Sequence, residues 1–531
     1  MKIVTAAEMR EIDRRTAEAH GVPSLQLMEN AATRLVEFLV EKGFANRTRP
    51  LVVLCGKGNN GGDGLAFARL WQRSRGETPQ VFLFAEPKAL QGDAAENFLH
   101  LRNARISVTS VTQENELAAV RTAVGKAGVV VDALLGTGLR GPAEGLLAGL
   151  IEEINRLREA AGENMTVVSV DMPSGLPSDG AATTGPVVRA DFTVAFSAPK
   201  MSHVLDGSRQ WVGDLRVASI GSPDEVIEQV SQSKWRWLQP WEFRDLPLRR
   251  RRDAHKGDFG HVLIAAGSKG KAGAAALAGL GSLRAGAGLT TIATPEGSLP
   301  VVASFAPEYM LEPLAETDTG SISLRSLEYS RFDGLLEGKS VLALGPGLST
   351  HPETQEFVRT VVARCPIPLI LDADGLNAFA GRADELKNRA AQFLAVTPHP
   401  GEMARLAHGN SKEIQQRRIE LAQECARRWN AFVILKGYQT LIAAPGGELF
   451  INSTGTPAMA AGGTGDVLTG VLAGLTAQFG SADWGRVLAL GVWLHGRAGE
   501  IVASRGGASL LASELAAAVQ QARAELQASP A

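Results

Sequence analysis

Short, continuous apolar runs separated by helix-compatible segments recur through most of this 531-residue chain. In the first part the runs fall at 51–55, 80–84, 129–132, 166–171 and 192–196. They do not alternate apolar with polar, which is the pattern of strands covered on both faces by helices. Segments such as 63–75 and 146–160 have the helical spacing between them. This rhythm predicts a doubly wound α/β domain. It breaks over 221–256, where GSPDEV, the Trp-rich WRWLQPW and the basic run Arg249–Arg252 follow one another. The basic run reads as a solvated linker face, with a phosphate-contacting role as the alternative. The rhythm then restarts, with strands predicted at 261–265, 289–293, 341–344, 369–372, 393–396, 432–436 and 440–443, and long helices at 467–478 and 486–504. The halves do not share motifs, so two unlike domains are expected, 1–218 and 238–526, with a linker at 219–237.

Composition narrows the function classes. Lys plus Arg total 54 and Asp plus Glu total 56, giving a formal net charge of −2. That balance offers no global attraction to nucleic acid or an anionic membrane, and neither partner is expected. The cysteines Cys55, Cys365 and Cys425 are far apart and form no C-x-x-C, so neither a disulfide framework nor a zinc site is suggested. The first twenty residues carry charges throughout, and no apolar stretch reaches spanning length. A soluble cytoplasmic protein is expected. The unusual number is glycine, 58 residues or about 11% against a typical ~7%. Glycine concentrated in loops would mean backbone built to approach ligands.

Much of the glycine is concentrated in that way. In LVVLCGKGNNGGDGLAFARLW, Gly56, Gly58 and Gly61 satisfy G-x-G-x-x-G between a strand and a helix. Two details argue against a plain dinucleotide fingerprint. Asp63, near the predicted helix start, would repel a pyrophosphate there, although it could cap the helix. Asn59 and Asn60 offer carbonyl oxygens, which suit a cation or a sugar hydroxyl better. Two further strand ends run into polar, glycine-containing loops: VVVDALLGTGLRGP, with Asp132, and VVSVDMPSGLPSDG, with Asp171 and Ser174. In an open parallel sheet such loops converge on one crevice. Asn60, Asp132 and Ser174 are oxygen donors with one carboxylate among them, a set suited to a monovalent cation. Asp171 could instead cap its own loop.

The motifs GNNGGDG, DALLGTGLRGP and DMPSGL together resemble the NAD(P)H-hydrate epimerase family over roughly residues 1–218. The resemblance implies a Rossmann-like three-layer sandwich. It implies a substrate site lined by Asn59, Asn60, Gly61, Gly62, Asp63, Gly136, Thr137, Gly138, Leu139, Arg140, Gly141 and Pro142. It also implies K⁺ held by Asn60, Asp132 and Ser174, and Asp171 as the substrate-contacting acid/base residue.

In the second half, GTPAMAAGGTGDVLTGVLAGLTAQF places Gly462, Gly463 and Gly465 around the opening of a long apolar helix. Backbone N–H groups there form an anion hole. A carboxylate at the same spot, Asp466, can take a proton from a hydroxyl attacking a phosphoryl group, or can merely cap the helix. The segments HKGDFGHVLIAAGSKGKAGAA, ALGPGLS, LDADGLNA, TPHPGEM and LKGYQT should meet this one. The set resembles the ribokinase-like α/β fold, and within it the ADP- or ATP-dependent NAD(P)H-hydrate dehydratases. By that resemblance Ala274, Gly347, His399 and Asp466 contact the hydrated nucleotide, with Asp466 as the catalytic base. Lys436, Gly437, Tyr438, Gln439, Thr440 and Gly465 bind the adenine nucleotide. ADP is the expected co-substrate and Mg²⁺ the expected ion of this domain. The Asp372/Asp374/Asn377 loop is expected to line the site without being assigned the metal. The reading is a bifunctional repair enzyme for hydrated NADH and NADPH, expected as a homo-oligomer. Two alternatives stay open: a small-metabolite kinase of ribokinase-like fold fused to a Rossmann-like module, and a first domain that only binds.

Overall fold

The computed structural model describes residues 1–44, 49–139, 141–180, 184–480 and 483–528. The chain divides into two compact units, Met1–Ser233 and Lys234–Ala531. Among the described residues, no helix is long and apolar enough to cross a membrane.

The first unit is a seven-stranded sheet with every pairing parallel. Its strands are β1 (Leu51–Cys55), β2 (Gln80–Leu83), β3 (Val108–Ser110), β4 (Val129–Ala133), β5 (Thr166–Val170), β6 (Phe192–Phe196) and β7 (Asp214–Ala218), in spatial order 3-2-1-4-5-6-7. Helices cover both faces. One core packs Phe67 and Trp71 against Val53 and Val131, and the other packs Ile151 and Ile154 against Val52 and Val130. The strand order reverses between β1 and β4, and a ligand crevice opens beyond the carboxyl ends of strands at such a point.

The second unit holds a ten-stranded sheet, with β8 (Trp235–Trp237), β9 (His261–Ala265), β10 (Leu289–Pro295), β11 (Met310–Leu314), β12 (Val341–Leu344), β13 (Leu369–Leu371), β14 (Leu394–Val396), β15 (Phe432–Leu435), β16 (Leu441–Ala443) and β17 (Leu449–Ile451). Its order is 11-10-9-12-13-14-15-16-17-8, parallel from β11 to β15 and antiparallel through β16 and β17. The switch point lies between β9 and β12. Helices Ala272–Ala285, Thr464–Phe479, Trp484–Ala503 and Ala512–Ala528 form the main apolar layer. The first two approach unusually closely, because a Cβ placed on Gly470 would lie 1.9 Å from the Ala278 carbonyl oxygen.

The stretch 219–237, expected as a linker, carries regular structure instead. Helix Asp224–Val230 buries Val226, Ile227 and Val230 in the first unit, and Lys2 Nζ donates to the Ser231 carbonyl at 2.7 Å. Trp235–Trp237 pairs with β17 as an edge of the second sheet. Within the basic run, Arg250 is packed rather than free, lying over the Phe259 ring and donating to the Gly286 carbonyl at 2.6 Å.

Candidate functional sites

In the first unit, the helix after β1 begins at Asn59 rather than at Asp63, with Gly58 as its N-cap. Asp63 therefore sits inside the helix and does not cap it, which corrects its expected place at the helix start. The early start follows from Gly56 and Gly61. A Cβ on Gly61 would lie 1.8 Å from the Gly56 carbonyl oxygen, and one on Gly56 would lie 1.9 Å from that of Leu134. The loop thus folds tightly onto itself and against the end of β4. Asn60 becomes buried, and its Nδ2 donates to the Leu135 carbonyl at 3.1 Å.

Leu135 links this loop to the next. Its N–H donates to Ser174 Oγ at 2.8 Å. The Ser174 N–H donates to Asp132 Oδ2 at 2.9 Å, and Ser174 Oγ donates to Asp132 Oδ1. Ser169 Oγ adds a bond to Asp132 Oδ2 at 2.8 Å. Asn60, Asp132 and Ser174 are thus one buried cluster drawn from three strand ends. Burial pushes the Asp132 carboxyl upward while these donors pull it down. The buried Oδ1 of Asn60 has no hydrogen-bond partner. An orphaned carbonyl oxygen beside a desolvated carboxylate fits a monovalent cation. Among the described residues no group of three His, Cys, Asp or Glu side chains could hold a metal ion. Gly136 packs against Asn60, where a Cβ would come within 3.1 Å of its side chain. Asn59, Thr137, Gly138, Leu139, Gly141 and Pro142 lie at or near the surface of the same loops, and Arg140 lies outside the described residues.

Asp171 follows β5 with φ +58°, a conformation that ordinary side chains rarely adopt. It does not cap its own loop. Its Oδ1 accepts from the Phe196 N–H at 3.0 Å and from the ammonium of Lys200. Lys200 is fully buried and also donates to the Phe196 carbonyl at 3.1 Å. The Asp63 carboxyl is held well above its usual range, first by burial and then by the Asp171 charge. Asp13 is raised to about 6, again by burial. His203, whose Nδ1 accepts from the Lys200 N–H at 3.1 Å, is lowered by burial to about 3 and stays neutral. The raised Asp63 carboxyl thus stands in the field of the Asp171–Lys200 ion pair, so two carboxyls in unlike surroundings share this end of the sheet. Sequence reading missed Lys200 and Asp13. Both lie far from the glycine motifs and carry no local signal.

In the second unit the loops after β9 and β12 meet. The Gly267 N–H donates to the Pro346 carbonyl at 2.8 Å, and Ser268 Oγ donates to the Gly347 carbonyl at 2.7 Å. A Cβ on Gly347 would lie 3.0 Å from that of Ala274, so these two residues share one wall. Asp374 fastens the wall, accepting from Lys271 Nζ at 3.1 Å and from the Ser349 N–H at 2.8 Å. His399 caps helix Pro400–Ala407, its Nδ1 accepting from the Gly401 N–H at 3.0 Å. Its Nε2 lies 3.4 Å from Glu402 Oε1.

Helix Thr464–Phe479 starts after Gly463, which has φ +89° and provides no side-chain cap. Its first amide donors therefore have no side-chain cap. Asp466 lies in the first turn, half-buried, and its carboxyl is raised to about 7, first by burial and then by the Asp372 charge. Lys436 Nζ lies 2.8 Å from Asp372 Oδ1 and 3.7 Å from Glu402 Oε2. A Cβ on Gly465 would lie 3.5 Å from the same ammonium. The rest of the 436–440 loop turns between β15 and β16. Gly437 has φ +141°, Gln439 has φ +51°, and Thr440 Oγ1 donates to the Gly437 carbonyl at 3.0 Å. Tyr438 is exposed, its carbonyl accepting from Arg418 at 2.6 Å. Gln439 Oε1 is buried without a hydrogen-bond partner. Glu402, Thr469 and Arg418, which bind these residues, were not evident from the sequence.

Comparison with known proteins gives two family matches: YjeF-related protein N-terminus over residues 24–202, and NAD(P)H-hydrate dehydratase over residues 262–521. The chain is 40% identical to the bifunctional NAD(P)H-hydrate repair enzyme Nnr of Moorella thermoacetica, over 97% of this chain and 95% of that one. It is 37% identical to the protein of that name from Thermofilum pendens, over 97% and 94%. It is also similar to an ADP/ATP-dependent NAD(P)H-hydrate dehydratase from Bacillus subtilis, co-crystallized with ATP/Mg²⁺ (31% identity, TM-score 0.46, 54% of this chain and 97% of that one).

Proposed function

Because the chain belongs to the family of bifunctional NAD(P)H-hydrate repair enzymes, we propose that its first unit interconverts the R- and S-forms of hydrated NADH and NADPH. Its second unit then dehydrates the S-form with ADP, giving AMP and phosphate. The observation that carries this reading is similarity to repair enzymes that runs through both halves of the chain. It disfavours a small-metabolite kinase fused to an unrelated binding module.

In the first unit the reacting centre is C6 of the hydrated ring, which bears a hydroxyl and is bonded to the ring nitrogen. Asp171, ion-paired with Lys200, takes the hydroxyl proton. The C6–N bond then breaks to leave an open-chain aldehyde, and the nitrogen takes a proton, for which Asp63 is the placed acid. Reclosure on the other face of the carbonyl returns the opposite epimer. Asn59 to Asp63 and the 136–142 loop line the pocket. Asn60, Asp132 and Ser174 would hold K⁺, which supplies a fixed positive charge there.

In the second unit Ala274, Gly347 and His399 would flank the hydrated ring, and the 436–440 loop with Gly465 would take the adenine nucleotide. Asp466 accepts the proton of the C6 hydroxyl as its oxygen attacks the β-phosphorus of ADP. The bond from that phosphorus to the bridging oxygen breaks, and AMP leaves. The amide donors of the first turn of helix Thr464–Phe479 meet the charge that develops on the transferring group. Loss of the C5 proton and of phosphate from C6 restores the double bond, with no net redox change. Mg²⁺ would accompany the polyphosphate and neutralise part of its charge. Incubation of the protein with the S-hydrate of NADH and either ADP or ATP, run side by side, tests the reading. Nicotinamide absorbance should return with ADP, and failure to return with either nucleotide sinks the dehydratase assignment.

A further inference from the structure

Asp372 and Lys436 form a buried ion pair at the ends of two different strands, and no step above uses the carboxylate. Asp372 is 1% exposed and divides its two oxygens. Oδ1 takes Lys436 Nζ at 2.8 Å, and Oδ2 takes Thr469 Oγ1 at 2.7 Å. Thr469 stands one turn beyond Asp466 on the same helix. The carboxylate therefore ties the lysine to the helix whose first turn carries the base. Glu402 flanks the ammonium at 3.7 Å from the other side, and its own position is fixed by the His399 N–H at 2.8 Å. Resting on the dehydratase reading above, we infer that Asp372 and Glu402 act through Lys436 as positioning residues. They fix its ammonium at the start of the 464–479 helix, where it balances the Asp466 carboxylate.

A buried pair of this kind adds little net stability against an apolar alternative, so its value here is placement of charge. The charged and titratable groups around Asp466 come from five places. Asp372 and Asp374 lie after β13, Lys436 after β15, and Glu402 with His399 at the start of helix 400–407. Lys271 lies after β9, paired with Asp374, and His495 lies on helix 484–503, joined to the Thr464 carbonyl at 2.8 Å. His495 is lowered to about 4 by burial and adds no charge at neutral pH. The net field on Asp466 is thus a contest between Lys436 and the carboxylates. Asp372 raises its carboxyl and Lys436 lowers it.

The test is the pH dependence of kcat for ADP-dependent dehydration of the S-hydrate. Asp372→Asn removes a like charge and leaves Lys436 unopposed, so the acid limb should move to lower pH by about one unit. Glu402→Gln should move it the same way by less. Lys436→Met should move it to higher pH, and the double variant Asp372→Asn/Lys436→Met should return it towards the wild type. The KM for the hydrated nucleotide should change less than kcat. Glu402→Gln keeps the test decisive if an unpaired Asp372 prevents Lys436→Met from folding. A merely structural pair would cost activity without moving the limbs apart. Wild-type turnover with limbs that coincide, or that move the same way in Asp372→Asn and Lys436→Met, overturns the inference alone. Absence of turnover in the wild type overturns the functional reading and the inference with it.

Discussion

Asp466 and Asp171 are both strand- or helix-end carboxylates, yet their surroundings set them apart. Asp466, raised to about 7 by burial and neighbouring carboxylates, should give a dehydration rate that climbs through about pH 7 as the base ionises. The sign for stability follows from the same shift. A folded-state carboxyl held above its unfolded value favours the fold below the unfolded pKa, and that contribution is lost as pH rises from about 4 to about 7. Asp466→Asn should therefore abolish dehydration yet raise the melting temperature, with a gain that grows from pH 4 to pH 8. A gain that shrinks over that range would contradict the burial argument. Asn60 offers a second residue-scale test. Removing its unpartnered Oδ1 with Asn60→Ala should raise the K⁺ concentration needed for epimerisation while dehydration is unaffected, measured by titrating K⁺ against Na⁺. An unchanged K⁺ requirement would remove Asn60 from the cation site.

At the scale of elements, close backbone approach governs both sites. Gly470→Ala would drive a Cβ to within 1.9 Å of the Ala278 carbonyl. It should cost about 2–3 kcal/mol by chemical denaturation and weaken dehydration by displacing the helix that carries Asp466. Gly149 sits within helix Gly145–Ala161 with nothing near its missing Cβ, so Gly149→Ala should stabilise by about 0.5–1 kcal/mol without touching either activity. Gly470 is legible as one of an unusual excess of glycine and falls inside the helix predicted at 467–478, but its close approach to the Ala278 backbone is not legible, because helix–helix contact leaves no local mark. The central strands were legible because burial on both faces makes them continuously apolar. Those missed were mostly edges: Val108–Ser110, Asp214–Ala218, Met310–Leu314 and Trp235–Trp237. Edge strands keep polar residues or proline that blunt the pattern. The three-residue interior strand Leu449–Ile451 was simply too short to stand out. At the sites, glycine loops were readable and their charge partners were not. Lys200 and Glu402 reach Asp171 and Lys436 only through tertiary contact.

At the scale of the whole molecule, one chain carries two separable activities, the first converting the epimer that the second, as proposed above, cannot use. Asp171 and Asp466 sit in different units, each with its own switch point in the strand order. The most direct measurement supplies a mixture of R- and S-hydrates of NADH with ADP and K⁺, and follows nicotinamide absorbance to completion. The wild type should restore the whole mixture. Asp171→Ala should stop once the S-share is spent, Asp466→Asn should restore none, and the two variants mixed together should again restore the whole. Full recovery by Asp171→Ala alone at the wild-type rate, or failure of the mixed variants to complement, would contradict the account.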